Sequence, residues 1–585
     1  MKKPSQAKPP NGTARFLKKF TAYLKPYGMK ITVMYFFALL NVGTMIILPI
    51  LVQQGIDRGI LPGDMQMLLL FSGGIALTGI LQFVGFRVQG VMMMKIGNSV
   101  LYDLRRDLFG RLQYLSIPYF DKNKAGNLMT RVTNDVLVLE ELLMQGLDSI
   151  LVDSLMIVGL VVAMIFLNPW LSLSLLVVIP VLSLIVFVLR NRIVASAEGI
   201  QKNLSTVNSY LNESLSGIQV SRAFAREDKN IRRFKEMNTA YYEQSRTFYP
   251  LHAWFWQSVA TLNTFSQGLV IIGGGVLLHY EMISIGVIVA FLSYVTRLFQ
   301  PMQKISNMLN QLSKAAVSGK RIFEILQEQP TVDDVPGALR NFHLQGEVEF
   351  RDVHFYYKEH EPIIRGMSFH IQPGQTCAIV GHTGSGKSTM VNLVNRFYDV
   401  QQGSVLIDQR DVRAYAQGEM RSQMSVVMQE PQIFSGTVSD NIRFGKPEAG
   451  DDEVSRVART LGIHDMIESF PNGYDTELGQ DGGNISLGQK QLLAFARALI
   501  RNPAILILDE ASAYLDTETE GVIQEALRTL MRGRTSFVIA HRLSTIRTAD
   551  IILVIQNGKI VERGNHGQLL ALGGVYAELL KQHPV

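Results

Sequence analysis

Cysteine is almost missing: the 585 residues hold one, Cys377. A disulfide-stapled secreted domain is therefore excluded, and a lone thiol fits a chain with at least one side in a reducing compartment. Charge is sparse too. Asp, Glu, Lys and Arg make up 18% of the chain, well below the roughly 25% usual in soluble domains. Apolar residues reach 47% and the mean hydropathy is +0.15. These proportions exclude a disordered or fibrous chain and weigh against a fully soluble enzyme. No internal repeat is present, and no low-complexity tract beyond the first ten residues, MKKPSQAKPP. That stretch lacks the apolar run of a secretory signal and reads as a cytosolic tail. At 65.4 kDa the chain is too long for one ordinary domain, and two large ones are expected.

What is abundant is long apolar sequence. Such segments recur near 31–52, 66–94, 140–167, 170–189, 253–279 and 283–302. Each is close to or above the roughly 20 residues a helix needs to cross the hydrocarbon layer. Ahead of them, Phe16, Phe20, Leu24 and Tyr27 recur at helical spacing with Lys18, Lys19 and Lys25 on the other face. The pattern predicts an elbow helix lying in the membrane interface.

The connections alternate. Those after the first, third and fifth crossings are short and carry few basic residues. Those after the second and fourth are long and basic: Arg105, Arg106, Arg111, Lys122, Lys124 and Arg131 in one, Arg222, Arg226, Lys229, Arg232, Arg233 and Lys235 in the other. Positive charge stays on the cytosolic side during insertion, so both termini are expected there. The net charge of +6 is thereby absorbed by topology, and nothing is left to argue for nucleic acid. Both long segments read as helical extensions. Near the turn of each lies a mixed apolar-polar tip, Pro118-Tyr119-Phe120-Asp121 and Ser216 to Phe224, that needs a surface to dock on.

Composition changes after about residue 325, where EQPTVDDVPGALRN reads as a linker. Beyond it, strand-like runs alternate with helical stretches, the sequence form of an α/β domain. The expected division is a tail and elbow over 1–30, a six-helix transmembrane domain over 31–325, a linker over 326–345 and a nucleotide-binding domain over 346–585. Within the last, Gly381-His382-Thr383-Gly384-Ser385-Gly386-Lys387-Ser388-Thr389 matches G-x-x-x-x-G-K-[ST] between an apolar strand and a helical stretch, MVNLVNRFY. Glycines let backbone N–H groups curl around phosphate oxygens, with Lys387 for the β- and γ-phosphates and the Ser388 hydroxyl for Mg²⁺. Ala504–Leu508 is a buried-strand run ending in Asp509-Glu510. Asp509 there can hold Mg²⁺ through water, and Glu510 can polarise an attacking water as general base. The long interval between Lys387 and Asp509 predicts a helical subdomain around 430–500.

With these motifs in order, the chain resembles an ATP-binding cassette (ABC) exporter half-transporter over residues 15–580. The resemblance implies a multidomain membrane protein: an all-α six-helix transmembrane domain followed by an α/β P-loop ATPase domain with a helical subdomain. It implies ATP and Mg²⁺ as cofactors, with Tyr357 stacking on adenine and Gln429 contacting Mg²⁺ and the attacking water. Ser486, Gly488 and Gln489 match the signature motif, Asp516 ends the segment joining the two sites, and His541 matches the switch histidine at the γ-phosphate.

Three positions depart from the family pattern. The signature reads ISLGQ, with Leu487 in place of a glycine; Ala513-Tyr514 replaces Ser-Ala; and Gln480 stands where exporters commonly carry glutamate. An altered signature beside intact Glu510 and His541 resembles one member of a heterodimeric pair, the favoured reading over a homodimer with tolerated variants. The expectation is an ATP-hydrolysing exporter subunit that moves hydrophobic or amphipathic compounds, drugs foremost, out across a bacterial plasma membrane. Its partners would be a second half-transporter, membrane lipid and a small hydrophobic substrate. Transport of a lipid, peptide or siderophore on the same scaffold is the alternative, as is a non-transporting subunit switched by ATP. In the membrane half, Asp153 is a candidate functional acid, since burying charge in lipid is costly. Asp148 and Arg87 are candidates for a pair nearer the inner edge.

Overall fold

The computed structural model describes residues 11–146, 149–176, 178–509, 517–540 and 543–582. They form two compact units. One is built from the described parts of Met1–Gln113 and Gly126–Glu328, the other from Tyr114–Ala125 together with Gln329–Val585. The second unit thus includes the tip of the first long connection as well as the C-terminal half of the chain.

The first unit is helical. In order come α1 (Asn11–Leu24), α2 (Gly28–Gln54) and α3 (Met65–Tyr114); then, past the tip helix α4 (Ile117–Lys122), α5 (Ala125–Val132), α6 (Asn134–Glu141), α7 (Ser154–Leu167) and α8 (Pro169–Leu176). They are followed by α9 (Val178–Ser216), α10 (Ile218–Ala223), α11 (Glu227–His279) and α12 (Ile285–Gln327). Lys18–Ile60, Met65–Tyr114 and Glu227–His279 are long and apolar enough to cross a membrane, and Leu151–Leu167 and Ile285–Pro301 are shorter apolar helices. Among the described residues these helices overlap the first, second, third, fifth and sixth apolar segments of the sequence. The third is interrupted where Leu142–Gly146 and Ser149–Asp153 wind as π-helix, and the last apolar run ends at Pro301 inside α12. Phe36, Phe83 and Phe166 stand 63%, 73% and 86% exposed. Large apolar side chains bared on that scale fit a lipid-facing surface.

Inside this unit Leu160, Val270, Ala290, Phe291 and Tyr294 form a fully buried cluster. The Tyr294 hydroxyl donates to the Ile46 carbonyl at 2.6 Å, which removes its only polar group from the apolar interior. At the head of α12, the Gly286 N–H donates to Asp57 Oδ1 at 2.9 Å and the Ser284 hydroxyl to Oδ2. An anion at a helix N-terminus meets unsatisfied N–H groups and the favourable end of the dipole. The elbow segment is helical and packs on α12. Phe16 and Phe20 are buried, stacked at 5.4 Å, and Phe16 leans on Phe323 of α12 beside Gly319. Both rings are covered by protein, while Leu24 and Tyr27 are only partly buried. Below, α9 and α11 pair as long extensions, tied by Asn203 Nδ2 to the Ala240 carbonyl at 3.1 Å and Gln244 Nε2 to Ser196 Oγ at 3.2 Å.

The second unit is α/β. Its six-stranded sheet runs in the order β12-β11-β3-β10-β9-β6, with β3 (Thr376–Val380), β6 (Met424–Val427), β9 (Ile505–Asp509), β10 (Thr535–Ile539), β11 (Ile551–Gln556) and β12 (Lys559–Gly564). Strands β11, β3, β10, β9 and β6 are parallel and β12 is antiparallel. A second sheet, β2-β1-β4-β5, contains β1 (Val348–Tyr356), β2 (Pro362–Ile371), β4 (Gln402–Ile407) and β5 (Arg410–Asp411). The period of two decides which core each residue joins. Cys377, Ile379, Ile505, Ile507, Phe537 and Ile539 face the antiparallel sheet and the helix α13 (Lys387–Val394). Ala378, Val380, Leu506, Leu508 and Val538 face the other core, shared with a helical subdomain. The helix α14 (Gln417–Ser422) buries Met420 in the first of these cores, and the subdomain holds α15 (Val438–Arg443), α16 (Asp451–Thr460), α17 (His464–Glu468) and α18 (Leu487–Ile500), with the short pair β7 (Gly436–Thr437) and β8 (Glu477–Leu478).

Candidate active site

Strand register assembles the site. Ile539 on β10 pairs with Ile379 on β3 and with Asp509 on β9, so the carboxyl ends of the three strands finish level. The loop Gly381–Gly386 leaves β3 at that edge and Asp509 closes β9 at the same edge, two strands away. Val427 pairs with Leu508 across β6 and β9, which brings Gln429, two residues past β6 and exposed, to the same rim. The open ends of parallel strands are where α/β folds bind ligands.

The loop has little choice of sequence. Gly381 has φ 154°, and a Cβ there would come within 2.2 Å of the Ile555 carbonyl oxygen. Gly386 has φ 109° and would meet Ile364 at 2.9 Å. Lys387 opens α13; its Nζ donates to the carbonyls of Gly381 and His382 at 2.8 and 3.0 Å. Burial lowers its pKa, partly opposed by the Asp509 carboxylate. A loss of hydration of that kind leaves the ammonium strongly disposed toward an anion. His382, Thr383, Gly384 and Ser388 are exposed, while Ser385 and Thr389 are buried. The Ser385 hydroxyl is buried with no hydrogen-bond partner. An orphaned hydroxyl inside a glycine loop, at the head of a helix, fits a site that receives phosphate oxygens. Among the described residues no three acidic, His or Cys side chains cluster as a metal cage. A Mg²⁺ ion here would need phosphate oxygens and water to complete its shell, as that hard, octahedral ion ordinarily does.

Tyr357 follows β1, and its hydroxyl donates to Thr389 Oγ1 at 3.2 Å, bringing a half-exposed ring to the first turn of α13. Ser486 and Gln489 form a reciprocal capping box at the head of α18, at 3.2 and 2.8 Å. Gly488 is buried and Leu487 is 45% exposed. Their bonds are to each other, which holds the signature residues as a helix start. Glu510, Asp516 and His541 lie outside the described residues, as does Asp148. In the first unit, Asp153 is buried and lines a cavity with Asn41, Gln89 and Gln300. Arg87 is exposed.

The comparisons agree with this geometry. Residues 31–302 match the ABC transporter transmembrane region and residues 364–513 match ABC transporter. The uncharacterized ABC transporter ATP-binding protein YknV of Bacillus subtilis is 40% identical over 96% of this chain and 94% of that protein. The chain belongs to the ABC transporter family. The probable multidrug resistance ABC transporter ATP-binding/permease protein YheH of Bacillus subtilis is 37% identical over 88% of this chain and 76% of that protein. The solved structure of a bacterial Atm1-family ABC exporter with ATP bound superposes with a TM-score of 0.78 at 26% identity, covering 96% of this chain and 99% of that one. This ABC transporter therefore has the exporter fold, a helical membrane region followed by a nucleotide-binding unit, and is an ATP-driven transporter and ATPase. Sequence reading had no signal for the capping role of Gln489 beyond the S-x-x-Q spacing itself.

Proposed function

We propose that this chain is one half of a dimeric exporter that moves hydrophobic or amphipathic compounds, drugs among them, out across a bacterial plasma membrane with both termini cytosolic. The observation that carries the reading is the level edge of β3, β10 and β9. It supports a site in which Lys387 and the loop N–H groups grip the β- and γ-phosphates while Asp509 stands opposite. Bound Mg²⁺ would neutralise charge on the phosphate oxygens, with Ser388, Gln429 and Asp509 as its protein contacts. Tyr357 would take the adenine ring. Glu510 would accept a proton from the attacking water, and His541 would hold the γ-phosphate in line.

One chain carries one phosphate loop and one signature, so two chains are needed to enclose ATP between a loop and an opposed Ser486 and Gly488. Leu487, exposed at the head of α18, favours a partner with an ordinary signature facing this chain's loop. Clamped nucleotide would favour the closed pair and its hydrolysis the open one, a two-state element biased by ligand. The multidrug wording of relatives such as YheH and the putative multidrug export protein SAB1799c of Staphylococcus aureus supports the substrate class.

The test is purification with a candidate second half-transporter, then ATPase stimulation in proteoliposomes across a panel of drugs and lipids. Co-elution and stimulation by amphipathic drugs are expected; stimulation by lipids alone would replace the substrate class. Glu510→Gln should keep ATP binding and lose turnover by about a hundredfold or more; normal steady-state hydrolysis would remove Glu510 from the base role.

A further inference from the structure

The mechanism above makes no use of Tyr398, yet this side chain stands between two parts of the second unit that the function needs. On one side its hydroxyl donates to the Asp121 carboxylate of α4, the tip helix. On the other its ring meets Tyr357 edge-on, centroids 5.0 Å apart at 84°, and Phe355 at 5.5 Å and 68°. Phe355 closes the triangle by meeting Tyr357 at 4.9 Å and 89°. Tyr357 in turn bonds Thr389, the second neighbour of Lys387 along α13. Three aromatic rings at near-perpendicular angles make a rigid set, because each edge sits on a neighbour's face. The Tyr357 ring therefore cannot tilt without moving Tyr398, and Tyr398 cannot move without disturbing its bond to Asp121.

We propose that Tyr398 is a positioning residue that sets the angle of the Tyr357 ring according to where the tip helix α4 sits. Binding of the nucleotide's base and placement of the tip then become one event. The proposal rests on the reading of Tyr357 as the adenine-stacking ring. By reciprocity, a nucleotide that turns Tyr357 pulls on Asp121, and a tip displaced by motion of α3, which runs covalently into it, changes the fit of the ring. The effect is carried by a single hydrogen bond, from the Tyr398 hydroxyl to an Asp121 carboxyl oxygen, so its loss should be readable.

The test uses the full chain in detergent with a bimane fluorophore on Phe120→Cys at the tip. Cys377 is buried and does not compete for the label. In the parent, ATP should shift the bimane emission. Tyr398→Phe keeps the ring and loses the hydroxyl; Asp121→Ala loses the acceptor. Each should cut that shift about tenfold, with MANT-ATP still bound, and the double variant should lose no more than either alone. Asp121→Asn, which keeps an acceptor oxygen, should restore most of the response. An undiminished shift in Tyr398→Phe overturns the proposal, as does a double variant that loses the product of the two effects. Tyr357→Ala separates this from the underlying reading. If it binds MANT-ATP normally, the adenine assignment falls; if binding weakens while Tyr398→Phe responds like the parent, only the positioning role falls.

Discussion

The two connection tips looked alike in sequence, each a short mixed run at the turn of a long basic segment. They are unlike in structure. The first is part of the second unit: Ser116 Oγ and the Val332 backbone exchange hydrogen bonds at 3.0 and 3.2 Å, and Asp121 meets Tyr398. The second belongs to the first unit and leaves Ile218, Val220 and Phe224 exposed by 42%, 62% and 72%. Polar tip atoms can be satisfied one at a time by neighbours within a chain. A bared apolar run gains only when a whole surface covers it, at about 25 cal/mol per Å². The comparison teaches that the first tip is held by directed hydrogen bonds inside its unit, while the second is bare in the single chain; under the proposed dimer, a partner chain would supply the area to cover it.

The sharpest way to break this contrast is to silence both tips at once. Lys387→Ala removes the ammonium proposed to grip phosphate and should lower phosphate release in proteoliposomes by about a hundredfold or more. If the second tip still responded to ATP, its movement would not depend on this site. Next in size is Phe224→Asp, which puts a charge where a covered ring is expected. Assembly or drug-stimulated turnover should fall about tenfold, as for a central interface anchor, read by light scattering and ATPase assay; a neutral result would mean that nothing covers the tip.

Leu487→Gly asks whose chain does the covering. In a self-assembled pair it should raise turnover about threefold, the loss of helix propensity being under about 1 kcal/mol. With a partner supplying an ordinary signature, turnover should stay within about twofold of the parent. The smallest effect compares the tips directly. Burial pushes the Cys377 thiol well above its ordinary range, so it stays neutral and unreactive through neutral pH, and the thiolate that alkylates appears only in strong base. Single cysteines at Phe120 and Phe224 can then be labelled cleanly with maleimide at pH 7. In the unassembled chain Phe224→Cys should react about twice as fast as Phe120→Cys, following exposures of 72% and 38%. Equal rates would erase the distinction.

Some of this was legible from residue order alone. The glycine spacing around Lys387, the apolar run into Asp509 and the recurrent long apolar segments are local patterns, and they led to the exporter class that the relatives and the fold show. Other features were not legible. Phe16 and Phe20 have the spacing of a lipid-facing helix, and only the position of Gly319 opens a seat for Phe16 on α12. The bond by which the Gln489 side chain satisfies the Ser486 N–H at the start of α18 was not anticipated either. Asp121 and Tyr398 are separated by most of the membrane region and the first strands, so no local pattern could pair them.

Sequence by itself determined the period of each element, the sites where backbone must pass through positive φ, and the chemistry available to a phosphate. These depend on neighbours within a few residues, where sterics and spacing act. The tertiary structure alone decided which tip is tied inside its own unit, which face of the elbow meets protein, and which ring holds Tyr357. Those outcomes turn on contacts between distant segments, whose cost in chain entropy is met only when the whole unit packs.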